Sequence, residues 1–438
     1  MTTEPPIQPQ TSFIIKPRTL TDQEKTEKAI SEYFQEAGFS TKESENFKGI
    51  SEYFKEKHFN FGMKMLHSLP GGYTGLDSGY PWLIYWVTNI IEMTKEQYDL
   101  SIDQKLQLVK MLKELKHPEG GFCGCVRGHA HLISTYAAVM AILNLGIKEA
   151  YEIIDIKKMK AYLLRMKNNN FNIEKEPSSV DKNGLYLITR DDKSKMISFK
   201  TNAPGTFMNH ISGESDLRST YCAITVAYIL NLLDLNNLEG NLISKGVVEN
   251  IKNCQNFEGG LGPEPFCEAH GGYSFCGIAT LVMLNKLSEI DVPRFVRWLT
   301  ARQMKYEGGF NGRTNKLVDS CYSYWQGSIF NMLMNSDKTL TNEMEMLFDQ
   351  LSLQAYILFA CQNEKGGLKD KPGKPNDLFH TNYASLGFIL SQESLIENNK
   401  INLNYKFDNM FPKMNPIFGV RQENVDKALT FYKEINKK

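Results

Sequence analysis

One twenty-residue stretch, residues 306–325, carries the side chains of this chain that are best suited to chemistry. It reads YEGGFNGRTNKLVDSCYSYW and places two cations, Arg313 and Lys316, a few residues before Asp319 and Cys321. A guanidinium and an ammonium bind anions, whereas a carboxylate and a thiolate bind divalent metals. The stretch therefore predicts an anion site and a metal site side by side.

The metal interpretation depends on a third ligand from elsewhere in the chain. Asp319 and Cys321 are joined by His380, which lies in a later block with similar surroundings. Carboxylate, thiolate and imidazole form a credible zinc set, and three protein ligands leave a fourth position open for a substrate. A structural alternative exists, because aspartate is a common helix N-cap and cysteine a common small buried residue. Spacing alone leaves both interpretations open.

The anion interpretation rests on two cations at helical spacing. Arg313 and Lys316 are three residues apart, so their side chains are neighbours on a helical turn. With His270 and Tyr322 they would form a cradle for a diphosphate. The alternative is a solvated basic face paired with glutamates. The surroundings speak against it, since they are rich in glycine and aromatic residues and Asp319 is the only near acidic partner.

Aromatic residues recur close to these groups. They are Trp82, Trp86, Tyr136, Tyr221, Tyr273, Trp325 and Tyr383. Aromatic side chains in helices are more often ordinary core residues. The functional alternative is a pocket for a long apolar chain.

An internal repeat must position all of these residues. In each copy an amphipathic helix ends in a glycine turn and a more apolar helix follows. The turns are PEGGFCG (118–124), GTFMNH (205–210), FEGGLGP (257–263), YEGGFNG (306–312) and EKGGLKD (364–370). The reactive residues fall just before or inside the start of each second helix. Repeated helical pairs stack as an open solenoid or close into a double ring, and we expect a closed ring in which these helix starts meet at one mouth.

Composition and charge limit the possible functions. The chain has 438 residues, and its 50 basic and 50 acidic residues cancel, so no cationic field favours nucleic acid or an anionic membrane. The longest apolar run, residues 132–145, is too short to span a bilayer. Eight scattered cysteines and a start without a secretory leader favour the reducing cytoplasm.

The sequence predicts one large domain with two appendages. Residues 1–20 contain four prolines without a helical period, which is typical of a flexible arm. Residues 21–438 form the single predicted domain. Within it, the charged segment 169–204 is predicted to be a surface insertion.

Several blocks together resemble one family. AHGGYSFCG, RTNKLVDSCYSYWQ and KDKPGKPNDLFHTNYASLG, with the GGF and GGL turns, are similar to the beta subunits of protein prenyltransferases, most closely the farnesyl-transferring ones, over roughly residues 50–435. The resemblance implies an all-α fold, an α/α toroid of about six inner and six outer helices, in a heterodimer with a separate alpha subunit. It also implies farnesyl transfer from farnesyl diphosphate to the cysteine of a C-terminal CaaX motif, on proteins such as small GTPases.

The resemblance also implies residue roles. Asp319, Cys321 and His380 would bind zinc, Tyr322 and Lys316 would act beside them in catalysis, and Asp370 would be associated with magnesium. The prenyl diphosphate site would comprise His270, Arg313, Lys316, Tyr322, Arg218, Tyr221, Gly272, Tyr273, Cys276 and Trp325. The peptide and chain-length residues would be Trp82, Trp86, Tyr136, Phe379 and Tyr383. Phe379 departs from the family, which usually has a tyrosine there.

Two alternatives remain beside the farnesyl-transferring enzyme. One is the beta subunit of a type I geranylgeranyltransferase, but those enzymes carry a small residue where this chain has Trp82, and Asp370 also speaks against them. The other is a non-catalytic helical-repeat scaffold, which predicts no bound zinc.

Overall fold

A computed structural model describes residues 17–40, 42, 52–96, 99–168, 205–336, 347–397 and 411–436. The predicted surface insertion, 169–204, lies outside the described residues, as do residues 1–16 of the predicted arm. Helix α1 begins at Arg18, so the last three residues of the predicted arm are helical.

The described residues are mostly helical, which confirms the all-α prediction. The helices are α1 (Arg18–Ala37), α2 (Lys55–His67), α3 (Tyr80–Thr94), α4 (Ile102–Glu114), α5 (Leu132–Leu145), α6 (Lys148–Tyr151), α7 (Ile156–Met166), α8 (Leu217–Ile229), α9 (Val247–Asn253), α10 (Gly271–Met283), α11 (Val292–Thr300), α12 (Tyr322–Trp325), α13 (Gly327–Ser336), α14 (Gln350–Ala355), α15 (Leu378–Glu397) and α16 (Gln422–Ile435). Short 3₁₀ segments occupy Gly71–Leu76 and Leu287–Glu289, and a π-helical turn, Tyr356–Cys361, extends α14. One antiparallel ribbon pairs β1 (Leu368–Lys369) with β2 (Asn376–Asp377).

Six inner helical positions form a closed ring in the described part of the chain. They are α3, α5, α8, α10, the α12–α13 pair and α15; each contacts the next, and α15 returns to α3. In α5 every residue except Ile133 is buried, as expected of a helix that packs on all sides. The prediction of a closed toroid rather than an open solenoid is therefore confirmed. Within the same residues no helix is long and apolar enough to cross a bilayer.

Outer helices precede the inner ones along the chain. They are α2, α4, α7, α9, α11 and α14 with its π-helical turn. Helix α4 shows why they lie outside, because it buries only one stripe, Leu108, Val109 and Leu112. The sequence identified five repeats by their glycine turns. The sixth pair, α2 and α3, completes the ring.

The glycine turns join neighbouring repeats through close backbone contact. Gly366 has a φ of +95°, and a Cβ there would lie 2.2 Å from the carbonyl oxygen of Lys57 in α2. Gly120 and Gly308 stand in the same relation to α7 and α14, with a Cβ 2.3 Å from a carbonyl oxygen in each case. Glycine is thus required both by its backbone conformation and by the approach of the next outer helix. The turn at Gly366 makes this close contact at the point where the last repeat meets the first.

Replacement of Gly366 by alanine tests this closure. We expect the free energy of unfolding to fall by about 2 kcal/mol or more, because a Cβ both strains the backbone and meets the carbonyl of Lys57. Urea denaturation followed by circular dichroism measures the change. Gly72→Ala is the matched control, since Gly72 has no positive φ and no atom within 4 Å of its Cβ position. Equal losses in the two variants would contradict the packing argument.

The segment before α16 fills part of the ring interior. The carbonyl oxygen of Ile417 accepts a hydrogen bond from the Tyr221 hydroxyl at 2.7 Å, and that of Gly419 accepts one from the Asn89 amide at 2.8 Å. After α16, Asn436 donates to the carbonyl of Leu230, just past the end of α8. Asn436 thus covers the carboxyl-terminal end of α8, and the amino-terminal ends of the inner helices carry the reactive residues.

Candidate active site

Three predicted metal ligands meet at the starts of two neighbouring inner helices. Asp319 and Cys321 lie in the turn that leads into α12, and His380 lies in the first turn of α15. One ligand atom from each lies within 4.8 Å of the others, and His380 Nε2 is 3.4 Å from Asp319 Oδ1. Zinc bonds of about 2.0 to 2.3 Å fit such a group after small shifts. Among the described residues it is the only group of three or more such donors that could hold a metal ion.

A fourth residue, Asp377, orients the histidine and was missed in the sequence. Asp377 Oδ2 lies 2.6 Å from His380 Nδ1, and Asp377 Oδ1 accepts the backbone N–H of His380 at 2.8 Å. The ring therefore turns its other nitrogen, Nε2, towards Asp319 and Cys321. A carboxylate behind a metal-binding histidine raises the basicity of the ligand nitrogen. An aspartate three residues before a histidine at a helix start is the sequence pattern that would have indicated it.

The charges around these ligands favour a bound cation. Burial by itself would lower the pKa of His380, but hydrogen bonds to Asp319 and Asp377 outweigh burial and raise it to about 9. Burial, and then the charge of Asp319, hold the pKa of the Cys321 thiol well above its ordinary value. Both groups are therefore protonated at neutral pH unless a metal displaces their protons. The donor set suits a divalent ion that binds sulfur and nitrogen.

Asp377→Asn tests the orienting role. The amide keeps the shape of the side chain but removes the negative charge that holds His380 Nδ1–H, so we expect metal affinity to fall about 10- to 100-fold. Competition with a chelator of known affinity measures it. Asp155→Asn is the control, because Asp155 also caps a helix, α7, away from the metal ligands. Unchanged metal affinity in the Asp377 variant would contradict this role.

A cavity of about 520 Å³ opens beside the metal ligands. It is lined by Arg218, Pro263, Cys267, Glu268, His270, Gly272, Tyr273, Cys276, Arg313 and Trp325, seven of which belong to the predicted prenyl diphosphate site. Tyr322 connects the two places: it follows Cys321 directly, and its hydroxyl lies 3.0 Å from His270 Nε2. The anion and metal residues of the opening stretch are thus neighbours in space.

Two other predicted diphosphate residues stand outside the cavity lining. Lys316 is exposed at the surface, three residues past Arg313. Tyr221 is buried, packs 5.3 Å from Phe275 and gives its hydroxyl hydrogen to the backbone of Ile417. Their assigned roles remain predictions.

The expectation that acidic partners are scarce around Arg313 is wrong. Glu268 pairs with Arg313 Nη1, and Asp216 Oδ2 lies 2.6 Å from Arg218 Nη2. Glu268 belongs to the preceding repeat, so the stretch around Arg313 does not reveal it. The Arg313–Glu268 pair is about half exposed on both sides, and such pairs are weak. Asp216 is buried and binds Arg218 through both carboxylate oxygens, while the guanidinium itself stays about half exposed. Both pairs orient the cations and leave donors free for an anion.

The hydrogen bonds of His270 settle where its proton lies. Its Nδ1 accepts the backbone N–H of Gly272 at 3.1 Å, so Nε2 must carry the hydrogen that faces Tyr322. Burial, and then the charge of Arg313, lower the pKa of His270, which keeps the ring neutral at pH 7. The Tyr322 oxygen accepts from the ring, and its own hydrogen is left to bind a third partner. That partner is an anion if the cavity holds one.

Aromatic side chains form a continuous belt inside the ring. Ring contacts of 5.7, 5.3, 5.3, 5.0 and 4.3 Å join, in order, Trp82, Tyr136, Tyr221, Phe275, Trp325 and Tyr383. Trp86 completes this aromatic belt, 5.5 Å from Trp82 and with its N–H 3.4 Å from the Tyr383 hydroxyl. Trp82 and Trp325 keep part of their surface exposed, whereas the other belt residues are buried. The buried members are core residues, as the first interpretation has it, and the pocket role of the others stays a prediction.

Phe379 and Asp370 complete the set of predicted residues. The Phe379 ring lies edge-on to Trp86 at 5.6 Å and to Tyr383 at 4.9 Å, beside the metal-site histidine. The Asp370 carboxylate pairs with Lys371, and its carbonyl oxygen accepts the N–H of Ser320 at 3.0 Å, which places this loop against the Asp319 turn. Burial, and then the nearby charge of Asp319, raise the pKa of Asp370. A nearby cation would relieve that repulsion.

Comparisons with known proteins agree with this fold. A family model of the prenyltransferase alpha-alpha toroid domain matches residues 54–420. The chain is therefore a protein of the prenyltransferase toroid class. The protein farnesyltransferase subunit beta of Saccharomyces cerevisiae is 34% identical over 84% of this chain and 77% of its own length. That of Pyricularia oryzae is 33% identical over 77% of this chain, which spans 62% of that relative. The chain belongs to the family of protein farnesyltransferase beta subunits.

A geranylgeranyl-transferring relative matches less of this chain in sequence. The geranylgeranyl transferase type-1 subunit beta of Arabidopsis thaliana is 33% identical, but over only 48% of this chain. The solved structure of Candida albicans protein geranylgeranyltransferase-I complexed with GGPP covers 86% of this chain and 98% of its own with a TM-score of 0.63. At 21% identity it supports the fold alone.

Proposed function

We propose that this chain is the catalytic beta subunit of a zinc-dependent protein farnesyltransferase. It would transfer farnesyl from farnesyl diphosphate to the cysteine thiol of a C-terminal CaaX motif. One observation carries the proposal: the metal ligands and the cationic cavity adjoin at Tyr322, which follows Cys321 and contacts His270. A displacement needs its nucleophile and its leaving group to meet at one carbon, and this adjacency allows that.

The metal-site residues prepare the nucleophile. Asp319, Cys321 and His380 would hold one zinc ion, and their donor types suit that ion. Zinc, when bound, lowers the pKa of a coordinated substrate thiol so that it is a thiolate at neutral pH. Asp377 keeps His380 Nε2 directed at the site.

The cavity residues stabilise the leaving diphosphate. Arg313 and the Tyr322 hydroxyl, whose oxygen is held by His270 Nε2–H, offer donors to its oxygens, and bonds of this kind strengthen as charge grows on the leaving group. Lys316 at the exposed edge would add a second cation. Asp370 would associate with a magnesium ion that neutralises part of the same charge.

The aromatic belt suits the apolar part of the donor. Trp82 and Trp325 offer partly exposed ring faces inside the toroid, and apolar pockets of this kind bind hydrocarbon chains. Trp82 would form the floor that stops a fourth isoprene unit. Trp86, Tyr136, Phe379 and Tyr383 would line the side towards the peptide, with the missing Phe379 hydroxyl altering selectivity at the last CaaX position.

The proposed assembly is a heterodimer with a prenyltransferase alpha subunit. The relatives are named as subunits of a larger enzyme, and this chain matches most of their length. Its substrates would be CaaX-terminated proteins such as small GTPases. All eight cysteines are free thiols, in keeping with the cytoplasm.

A prenylation assay tests the proposal. The chain, co-expressed with an alpha subunit, should transfer farnesyl to a CaaX peptide, should fail on the matched peptide with serine for cysteine, and should contain about one zinc per chain by elemental analysis. Preferential geranylgeranyl transfer would support the type I alternative instead. Absence of both transfer and zinc would support the scaffold.

A further inference from the structure

The same glutamate recurs in three of the glycine turns, but its surroundings differ. Glu119, Glu258 and Glu307 each precede a Gly-Gly pair. The Glu119 side chain is 72% exposed, and Glu307 is fully buried beside Gln23 of α1. Glu258 alone lies half-buried between the two loops that border the anion cavity.

Glu258 binds both of those loops with one carboxylate. Its Oε2 accepts the backbone N–H of Ala269 at 3.4 Å, and Ala269 directly precedes His270. Its Oε1 accepts the hydroxyl of Thr314 at 3.2 Å, and Thr314 directly follows Arg313. The residues next to His270 and Arg313, the two side chains proposed to bind the diphosphate, are therefore held by the same Glu258 carboxylate.

A buried arginine fixes the direction of the second hydrogen bond. Arg302 is 8% exposed, packs 5.5 Å from Trp298 and donates from Nη1 to the Thr314 hydroxyl at 3.0 Å. Because that hydroxyl accepts from Arg302, its own hydrogen is directed to Glu258. Arg302, Thr314 and Glu258 thus form a relay in which each hydrogen bond has a defined direction. We refer to these three residues as the anchor relay.

The loop held by the anchor relay is exposed at its tip and is fixed at its base. Residues 314–316 are exposed, and Asn315 adopts a φ of +59°, which is uncommon for a residue other than glycine. Inside the loop, Asn311 Nδ2 donates to the carbonyl of Lys316 at 3.1 Å. A backbone bond from Gly271 N–H to the Gly312 carbonyl at 2.7 Å, and the pair of Arg313 with Glu268, also join this loop to the His270 loop. The Glu258 contact adds a tie on the other side of Arg313, at Thr314.

We propose that Glu258 is a positioning residue for prenyl diphosphate, acting through Ala269 and Thr314 to hold His270 and Arg313 at the separation that a diphosphate requires. This rests on the proposed function of the cavity. Glu258 itself does not line the cavity and need not touch the ligand. Its removal should therefore weaken diphosphate binding and leave the metal site and the peptide site intact.

The test compares three single variants in the heterodimer with its alpha subunit. Glu258→Gln and Thr314→Val each remove one hydrogen bond of the anchor relay, and each should raise the Kd for farnesyl diphosphate, measured by equilibrium dialysis, about three- to tenfold. Zinc content and the KM for the CaaX peptide should stay within about twofold of the unmodified enzyme. Glu119→Gln is the matched control from another repeat and should leave all three quantities unchanged.

The double variant separates positioning from general loosening. Both substitutions cut the same connection, so the double variant should raise the Kd no more than about twofold beyond the larger single effect. Effects that multiply, or an equal rise in the peptide KM, would overturn the inference. Since the binding measurement needs no turnover, loss of transfer with intact farnesyl diphosphate binding would count against the proposed reaction and not against Glu258. Unchanged affinity in Thr314→Val, a surface substitution that should fold normally, would also overturn it.

Discussion

Cys321→Ala should leave the chain without bound zinc and lower the rate of prenyl transfer about a thousandfold or more. Cys321 supplies the only thiolate among the three ligand atoms that lie within 4.8 Å of one another. Asp319 and His380 alone would bind zinc weakly, because two ligands cannot complete a tetrahedral site. Without the metal the substrate thiol stays mostly protonated at pH 7. The activation free energy of transfer then rises by several kcal/mol, which corresponds to the expected fall in rate.

Elemental analysis and single-turnover kinetics of the heterodimer measure the two effects separately. Cys254→Ala is the matched control, because Cys254 is also a buried thiol whose pKa is raised by burial, but it lies outside the metal group. It should retain zinc and transfer. One zinc per chain in the Cys321 variant would rule out the proposed ligand set.

Local sequence patterns predicted the architecture well because the toroid is built from repeated local units. Glycines such as Gly120, Gly308 and Gly366 marked the turns, and each proved to contact the next outer helix. The pattern has limits, however. Gly71 and Gly72 also form a pair, yet neither has a positive φ or a close neighbour. A glycine pair therefore indicates a turn but does not by itself define a repeat.

The site could be predicted by residue type, but its supporting partners could not. Asp319, Cys321 and His380 are unusual enough in combination to be recognised along the chain. Glu258 and Glu268 act across repeat boundaries, and their contacts with Thr314 and Arg313 depend on how neighbouring repeats are set against each other in the ring. No periodic pattern of residues within one repeat predicts a contact with the next repeat. For this reason the sequence suggested few acidic partners around Arg313, whereas the structure places Glu268 beside it.

Trp82→Thr should change the length of the prenyl chain that the enzyme prefers. The indole ring lies 5.5 Å from Trp86 and 5.7 Å from Tyr136, and part of its surface is exposed. Replacing it with a small side chain removes the bulk that would meet a fourth isoprene unit. Because a well-fitted apolar pocket discriminates 10- to 200-fold for a single methylene, we expect the ratio of kcat/KM values to shift towards the 20-carbon donor by about a hundredfold.

The conservative variant Trp82→Phe distinguishes bulk from other effects of the substitution. Phenylalanine keeps an aromatic floor, so Trp82→Phe should retain the preference for the 15-carbon donor, while Trp82→Thr loses it. Competition between the two donors in one reaction with a single CaaX peptide reports the ratio directly, independent of the amount of active enzyme. If Trp82→Thr kept the preference of the unmodified enzyme, the limit on chain length would have to come from another member of the aromatic belt, and Tyr136 and Tyr221, joined by a 3.1 Å contact between their hydroxyls, would be the next residues to test.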